Sequence, residues 1–440
     1  MKSIDKIPTS KIQRASKLVS TGAKVGVNYL KYYGNKLTKG EEKAKQTLDS
    51  DNAEDIYNSL KQLKGSALKV AQMLSMEKGI LPEAYVEQFS LSQFSVPPLS
   101  APLVSKTFKK YFGKRPEDLF DKFDYNAVNG ASIGQVHLAE KDGKKLAVKI
   151  QYPGVAESIS SDLAMVKPIA LKILNIDKKE SEKYFKEVEE KLLEETDYVR
   201  ELQQSQEIAE NCKDLPNVRF PNYYPELSCD KIITMDWMEG IHLSEFTKAG
   251  FDKENGNKLG QTLWDFYMYQ IHVLKKVHAD PHPGNFLVSK NMDLIALDFG
   301  CMKEIPEDFY KPYFDLALSD NFNNEAYFEQ TLYQLHILKE DDTPEDIVFF
   351  KEMFHEMLSL FTQPINQDIF DFSNEAFFGK ISDLGMKMAK NKDLRGKNAD
   401  RGSKHFIYIN RTLFGLFNLM HDLKASGVKT GNYSDSGVLV

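Results

Sequence analysis

Apolar residues recur along this chain at the spacing of helices in some segments and of strands in others. Residues 54–76 repeat apolar positions every three or four residues, which predicts an amphipathic helix. These positions are Leu60, Leu63, Ala67, Ala71 and Leu74. Residues 180–212 contain no Gly or Pro and are dense in charge, so they predict one long helix or two. The apolar residues of that segment are Val188, Leu192, Leu193, Val199 and Leu202.

Shorter apolar runs predict strands. Residues 146–150 form an aliphatic and β-branched run that contains a single lysine, Lys149. A polar turn at residues 141–144 precedes this run, and residues 231–240 form a further apolar strand that enters a turn. Residues 406–419 are broken by polar side chains and predict an amphipathic core helix. We therefore expect no transmembrane segment, because no apolar run approaches the roughly 20 residues that one requires.

Composition indicates a globular protein with more than one core. The chain has 440 residues, of which 42% are hydrophobic, enough for two or three cores. Its three cysteines, Cys212, Cys229 and Cys301, are widely spaced, which favours a reducing compartment and no zinc site. The N-terminal residues lack the pattern of a signal peptide. The expected location is cytoplasmic, with at most peripheral attachment to a membrane.

Charge is unevenly distributed. Residues 1–40 hold nine Lys or Arg and one acidic residue, whereas the remainder holds 48 basic and 63 acidic residues. Valine, leucine and tyrosine alternate with the lysines of this basic arm, so it could bind an anionic membrane surface. A disordered or self-docking basic tail is the alternative. We expect no nucleic-acid partner, because no recognised nucleic-acid-binding motif accompanies the charge.

The strongest chemical signal lies between residues 278 and 300. Asp280 is predicted on a tight loop, where it could accept a hydroxyl proton, and Asn285 and Asp298 supply oxygen atoms that could bind Mg²⁺ between phosphates. His278, Asp280 and His282 alternate and could instead bind a transition metal. We favour the hard cation, because it also explains Asn285 and Asp298.

A phosphate-binding site of this kind needs a cation upstream, and Lys149 is the candidate. A lysine buried in a strand is costly unless it pairs with an anion, whereas an edge-strand lysine that faces solvent is common. Small residues precede this strand and would let backbone N–H groups approach a phosphate. The candidate nucleotide contacts are Gly130, Ala131, Ser132, Ile133, Gly134, Gln135 and Val136.

Together these motifs resemble the UbiB family of atypical kinase-like proteins, also called the AarF or ADCK-type family. That family has an alanine-rich loop that ends in Ser-Ile-Gly-Gln-Val-His, matched by residues 132–137. Its Lys-x-Gly-Gln signature is matched by residues 69–72 except that Ala71 replaces glycine, and its Glu-x-Asp motif is matched by residues 195–197. Gly130 replaces an alanine of the family loop. The resemblance extends from about residue 55 to about residue 425.

The resemblance implies an α/β (α+β) fold of the bilobal protein-kinase type, with a mixed-sheet N-lobe, a mainly helical C-lobe and an N-terminal helical extension. The expected divisions are 1–46 (basic arm), 47–125 (extension), 126–235 (N-lobe), 236–425 (C-lobe) and 426–440 (tail). Residues 69–72 would lie on a helix that covers the active site, which implies a lid over the nucleotide and not an open peptide groove.

Roles of individual residues follow from the same resemblance. Lys149 would position the phosphates and pair with Glu201 of the helix that follows, and Asp280 would orient the nucleophile. Glu195 and Asp197 would face Lys69 or a second metal. Backbone groups at Asp236 and Met238 would contact adenine at the hinge between lobes. ATP and Mg²⁺ are the implied cofactors.

The implied function is ATP binding and hydrolysis, or atypical phosphotransfer, in support of isoprenoid quinone (ubiquinone-type) or related lipid metabolism. A lipid or quinone precursor is the implied partner. A small-molecule kinase of the aminoglycoside or choline type is one alternative, although it would not need the Lys69 helix or the Ser-Ile-Gly-Gln-Val-His loop. A non-catalytic, ATP-gated lipid-binding protein is the other, and it would keep every nucleotide-binding residue.

Overall fold

The structure is a computed structural model that describes residues 24–36, 40–63, 84–85, 88, 98–130, 133–174, 178–317, 319–390 and 401–431. Its α-helices are α1 (24–36), α2 (Glu41–Leu63), α3 (Ala101–Phe112), α4 (Val155–Leu174), α5 (Lys178–Glu195), α6 (Tyr198–Asn211), α7 (Leu243–Ala249), α8 (Lys253–His272), α9 (Glu307–Ala317), α10 (Ser319–Phe322), α11 (Glu325–Gln334), α12 (Pro344–Phe361), α13 (Glu375–Lys390) and α14 (Lys404–Asp422). Its strands are β1 (Lys122–Phe123), β2 (Asn129–Gly130), β3 (Gly134–Lys141), β4 (Lys144–Gln151), β5 (Val218–Arg219), β6 (Ile232–Asp236), β7 (Ile241–His242), β8 (Lys276–His278), β9 (Phe286–Val288), β10 (Leu294–Ala296), β11 (Met302–Glu304), β12 (Ile369–Phe370) and β13 (Val428–Lys429).

The chain forms two compact units. The first comprises residues up to Leu202 together with Asn222–Trp237, and the second comprises Gln203–Pro221 and Met238 onward. In the first unit, an antiparallel sheet has the order β1-β3-β4-β6, with β2 paired to β3. Its core contains Phe108, Val148 and Tyr198. The core of the second unit includes many buried residues of α8, among them Leu263, Trp264 and Tyr267.

The β3–β4 hairpin confirms the turn that the sequence predicts. Lys141 pairs with Lys144, and the two residues between them, Asp142 and Gly143, have φ values of +50° and +76°. Positive φ at both central positions suits the twist of the strands, and Asp-Gly tolerates it. Strand β4 is paired on both sides, and residues 146–151 are buried along their whole length. Its apolar sequence follows from that central position.

The charged segment 180–212 forms two helices and not one. Helix α5 ends at Glu195, and α6 begins at Tyr198. At the break, the Asp197 carboxylate accepts the backbone N–H of Arg200 at 3.0 Å, and the Asp197 carbonyl accepts that of Glu201. A short acidic side chain at this position caps the N–H groups that the first turn of a helix leaves unpaired. Asp197 therefore starts the helix that carries Glu201.

In the second unit, a four-stranded sheet has the order β5-β10-β9-β7, and two further strand pairs are β8–β11 and β12–β13. The core helix predicted at residues 406–419 is present within α14. Two of its polar residues satisfy their amides locally, because Asn410 donates to the Phe406 carbonyl and Asn418 donates to the Phe414 carbonyl. None of the helices described here combines the length and the hydropathy needed to cross a membrane.

Candidate functional site

Lys149 and Glu201 form a buried ion pair in the first unit. The Lys149 ammonium lies 2.5 Å from a carboxylate oxygen of Glu201, and the two side chains are 10% and 6% exposed. Strand β4 carries the lysine and α6 carries the glutamate, so the predicted strand-to-helix pairing is present. Because a buried ammonium is costly without a hydrogen-bonded anion, Glu201 offsets the cost of burying Lys149 and holds its side chain in position.

The backbone between α5 and α6 is tied to the same sheet. The Thr196 carbonyl accepts the side-chain amide of Gln151, two residues after Lys149, at 3.0 Å. The Tyr198 ring lies 5.1 Å from the Lys149 ammonium, within reach of a cation–π interaction. Tyr198 was not among the predicted site residues, although its place directly after the Glu-x-Asp motif was a signal. Two side chains of one helix, Tyr198 and Glu201, thus lie beside the lysine.

The loop before β3 is described in part. Ala131 and Ser132 lie outside the described residues, whereas Gly130 ends β2 and pairs with Gln135. The Ile133 carbonyl accepts the backbone N–H of Tyr152 at 2.9 Å. A Cβ atom at Gly134 would lie 2.5 Å from the Ile150 carbonyl oxygen, too close for any side chain. Gly134 is therefore required by the β3–β4 contact itself. Val136 lies opposite Lys149 in the hairpin.

The Gln135 side chain belongs to a buried chain of hydrogen bonds. Its oxygen accepts the Leu99 backbone N–H at 2.8 Å, and its nitrogen lies 2.7 Å from Nε2 of His137. Nδ1 of His137 lies 2.8 Å from the Asp124 carbonyl oxygen, so Nδ1 carries the proton and Nε2 accepts from Gln135. Burial lowers the pKa of His137, which favours this neutral form. The Gln135 amide thus joins the start of β3 to the segment before α3.

The family acids are placed at the helix junction. Glu195 is the last residue of α5, and Asp197 caps α6 through the bond to Arg200. The predicted partner Lys69 and its neighbour Gln72 lie outside the described residues. That Glu195 and Asp197 face Lys69 or a metal stays a prediction.

The proposed hinge begins at the end of β6. The Asp236 carboxylate accepts hydrogen bonds from the Asn222 side chain at 2.6 Å and from the Tyr224 hydroxyl at 2.7 Å. Burial, with this carboxylate close by, raises the pKa of Tyr224 to about 12. The Asp236 backbone N–H donates to the Asn222 carbonyl. Met238 follows in an irregular segment and is half-buried. Contact of either residue with adenine stays a prediction.

In the second unit, Asn285 organises the loop that carries Asp280. Its side-chain N–H donates to the Asp280 carbonyl at 3.0 Å, and the His282 backbone N–H donates to the same carbonyl at 2.8 Å. The Asn285 carbonyl accepts the Leu297 N–H at 3.1 Å, which joins the loop to the residue before Asp298. Asp280, Asn285 and Asp298 therefore lie on segments connected directly by hydrogen bonds.

The donor set suits a hard divalent cation. With its nitrogen held by the Asp280 carbonyl, Asn285 has its side-chain oxygen as the remaining ligand atom, and Asp298 adds a carboxylate. One oxygen of Asp298 accepts the Gly300 N–H at 2.9 Å, which fixes the carboxylate in a tight turn. Oxygen donors from an amide and a carboxylate fit Mg²⁺ better than a soft metal.

The structure does not favour the transition-metal alternative. Within the described ranges, which include residues 278–282, no group of three or more His, Cys, Asp or Glu side chains could hold a metal ion. His278 is buried, with its ring 5.6 Å from that of Phe299, and Nδ1 of His282 accepts the Gly284 N–H. These histidines have structural contacts of their own.

Comparison with known proteins matches this chain to a family and a fold. Residues 91–329 match the model of the ABC1 atypical kinase-like domain. The atypical kinase COQ8 of Saccharomyces cerevisiae mitochondria is 33% identical over 70% of this chain and 62% of its own length. A chloroplastic relative from Arabidopsis thaliana, named Activity of BC1 complex kinase 8, is 33% identical over 54% of this chain and 32% of its own length.

The chain therefore spans between about a third and just under two thirds of these relatives. AarF domain-containing protein kinase 1 of Gallus gallus is 29% identical over 70% of the chain and 61% of its own length. A Mycobacterium tuberculosis protein solved in complex with erythromycin superposes with a TM-score of 0.61 at 23% identity, covering 90% of this chain and 98% of that one. This likeness supports the fold alone, and the kinase-like α/β prediction is confirmed. The chain belongs to the UbiB/AarF/ADCK family of ABC1 atypical kinase-like proteins.

Proposed function

We propose that this protein binds ATP with Mg²⁺ and hydrolyses it, or transfers its phosphoryl group, in support of isoprenoid quinone or related lipid metabolism. The observation that carries the proposal is the buried Lys149–Glu201 pair, with 2.5 Å between nitrogen and oxygen. A kinase-type site requires a lysine held by a helix carboxylate before it can position the phosphates. No need of the sheet itself explains a charged pair at a central strand.

Each residue of the proposed site has its own role. Lys149 binds the α- and β-phosphates, and the backbone of residues 130–136 covers them. Asn285 and Asp298 hold the metal ion, which neutralises phosphate charge when it is bound. Asp280 orients the attacking hydroxyl or water, and the bond from Asn285 to the Asp280 carbonyl keeps that loop in place. Asp236 and Met238 supply backbone contacts to adenine.

The quinone assignment rests on family membership and on the yeast relative named as the atypical kinase COQ8. We propose that ATP turnover acts on or near a lipid or quinone precursor. We propose the Mg²⁺ dependence, a phosphoryl acceptor and a lipid partner on the same basis.

A membrane surface is the proposed place of action. Helix α1, within the basic arm, exposes Val27, Leu30 and Tyr33 at intervals of three residues. Lys24 and Lys31 on the same helix are also exposed. An apolar stripe flanked by lysines suits the boundary between anionic headgroups and acyl chains.

The test is ADP release from Mg·ATP by the purified protein, with and without anionic liposomes. Lys149→Ala and Asp298→Asn should abolish turnover. Lys144→Ala is the matched control, because Lys144 lies on the same strand but is exposed. Turnover that rises with liposomes and is lost only in the first two variants supports the proposal. Nucleotide binding without turnover in either condition favours the ATP-gated binding protein instead.

A further inference from the structure

Gly415 lies in the middle of α14, where glycine is an unfavourable residue. Glycine destabilises a helix interior by about 1 kcal/mol relative to alanine, so its presence there calls for a reason. A Cβ atom at Gly415 would lie 2.4 Å from Cγ of Pro281 and 3.4 Å from its Cβ and Cδ. Pro281 directly follows Asp280.

The proline cannot yield to such a contact as a flexible side chain would. Its ring is closed onto its own backbone nitrogen, so pushing Cγ moves the peptide that joins residues 280 and 281. The neighbouring backbone is also constrained, because the Asp280 carbonyl accepts from both His282 and Asn285. A side chain at position 415 must therefore displace the loop or the helix.

We infer that Gly415 is a positioning residue for Asp280. Because Gly415 has no side chain, Pro281 packs directly against the backbone of α14, and this contact fixes the loop that carries Asp280. The inference rests on the proposed function, in which Asp280 orients the nucleophile. Helix α14 lies beyond residues 91–329, which match the family domain. The C-terminal helix thus becomes part of the machinery and not only of the core.

The chain offers two matched glycines in other helices of the same unit. A Cβ at Gly260 of α8 would lie 2.4 Å from Cβ of Ala425, an equally severe contact that does not involve Pro281. A Cβ at Gly379 of α13 would meet nothing within 4 Å. All three Gly→Ala changes give the same gain in helix propensity, so their differences report the contacts alone.

The experiment compares Gly415→Ala, Gly260→Ala and Gly379→Ala for ATP turnover, ATP affinity and unfolding midpoint. We expect Gly415→Ala to lower turnover by roughly ten- to a hundredfold, since small misplacements of a catalytic group are costly. Its affinity for ATP measured without Mg²⁺ should change less than about twofold, because Asp280 acts on the nucleophile and Asn285 contacts the metal ion and not the nucleotide. Gly260→Ala should lower the midpoint while turnover of the folded protein stays near wild type.

Hydrogen exchange of the loop gives a readout that does not depend on activity. The backbone amides of His282, Gly284 and Asn285 all donate to acceptors within the loop. They should exchange faster in Gly415→Ala and at the wild-type rate in Gly260→Ala and Gly379→Ala. Faster exchange in a protein whose wild type shows no turnover would overturn the proposed ATP chemistry and leave the positioning role in place.

A double variant tests the contact between positions 415 and 281 directly. Pro281→Ala removes the Cγ atom that Gly415→Ala would strike, so the pair should recover exchange rates and turnover relative to Gly415→Ala alone. The inference fails if Gly415→Ala behaves like Gly379→Ala, or if Gly415→Ala and Gly260→Ala lose turnover equally and only in step with stability.

Discussion

Glu201 holds Lys149 at 2.5 Å in the interior of the first unit, whereas Glu140 holds Lys122 at nearly the same distance, 2.6 Å, on its surface. The buried pair is 10% and 6% exposed, and the surface pair is 36% exposed at its glutamate and 75% at its lysine. The geometry is alike and the surroundings differ. The two pairs therefore separate the effect of burial from that of distance.

We predict that Glu201→Ala destabilises the protein by about 3 kcal/mol, because it leaves a buried ammonium without its partner. Glu140→Ala should cost about 0.5 kcal/mol, as expected of an exposed pair. Urea unfolding followed by circular dichroism measures both. Equal losses would mean that water reaches Lys149 and that Glu201 does not hold it.

The second prediction concerns the metal. Asp298→Asn should lower Mg²⁺-dependent ATP affinity at least about tenfold, because an amide is a poorer ligand than a carboxylate for a hard cation. Asp371→Asn is the control: its carboxylate accepts the Ser373 N–H at 2.8 Å, in the same kind of turn that Asp298 makes with Gly300. Calorimetric titration with and without Mg²⁺ measures the difference. A similar loss of ATP affinity in both variants would mean that the loss comes from disturbing a turn of this kind and not from removing a metal ligand.

Local patterns in the sequence predicted much of the fold and part of the site. The Asp142–Gly143 turn, the buried β4 run and the helix with Glu201 all follow from neighbouring residues. Contacts between distant residues could not be predicted in this way. The Gln135 bond to Leu99 spans 36 positions, and Gly415 meets Pro281 from a separate helix. Spacing along the chain carries no information about such pairs, because packing alone selects them.

That difference gives a prediction for Gln135. The sequence placed it among nucleotide contacts, whereas its side chain accepts from Leu99 and lies against His137. Gln135→Ala should therefore cost about 2 kcal/mol of stability, since it leaves a buried N–H and an imidazole nitrogen unpaired. The affinity of the folded protein for ATP should change little. A large loss of ATP affinity without a loss of stability would show that the Gln135 side chain contacts the nucleotide.

The last prediction concerns acid stability. His272 is buried in the second unit, with Nδ1 2.8 Å from the Tyr310 hydroxyl and its ring 4.8 Å from that of Phe314. Burial, with the Lys275 ammonium nearby, lowers the pKa of His272 to about 4. The unfolded chain binds this proton near an ordinary histidine pKa of about 6.5.

Because the folded pKa is the lower one, the contribution of His272 is complete above about pH 6.5 and is lost as the pH falls toward 4. The loss should reach about 2 kcal/mol, after allowance for relaxation of the site. His272→Gln removes this titration, so its unfolding free energy should fall less than that of wild type between pH 7 and pH 5. His355→Gln, at an exposed position of α12, controls for the loss of one histidine. Parallel curves for wild type and His272→Gln would show that His272 already binds a proton in the folded state.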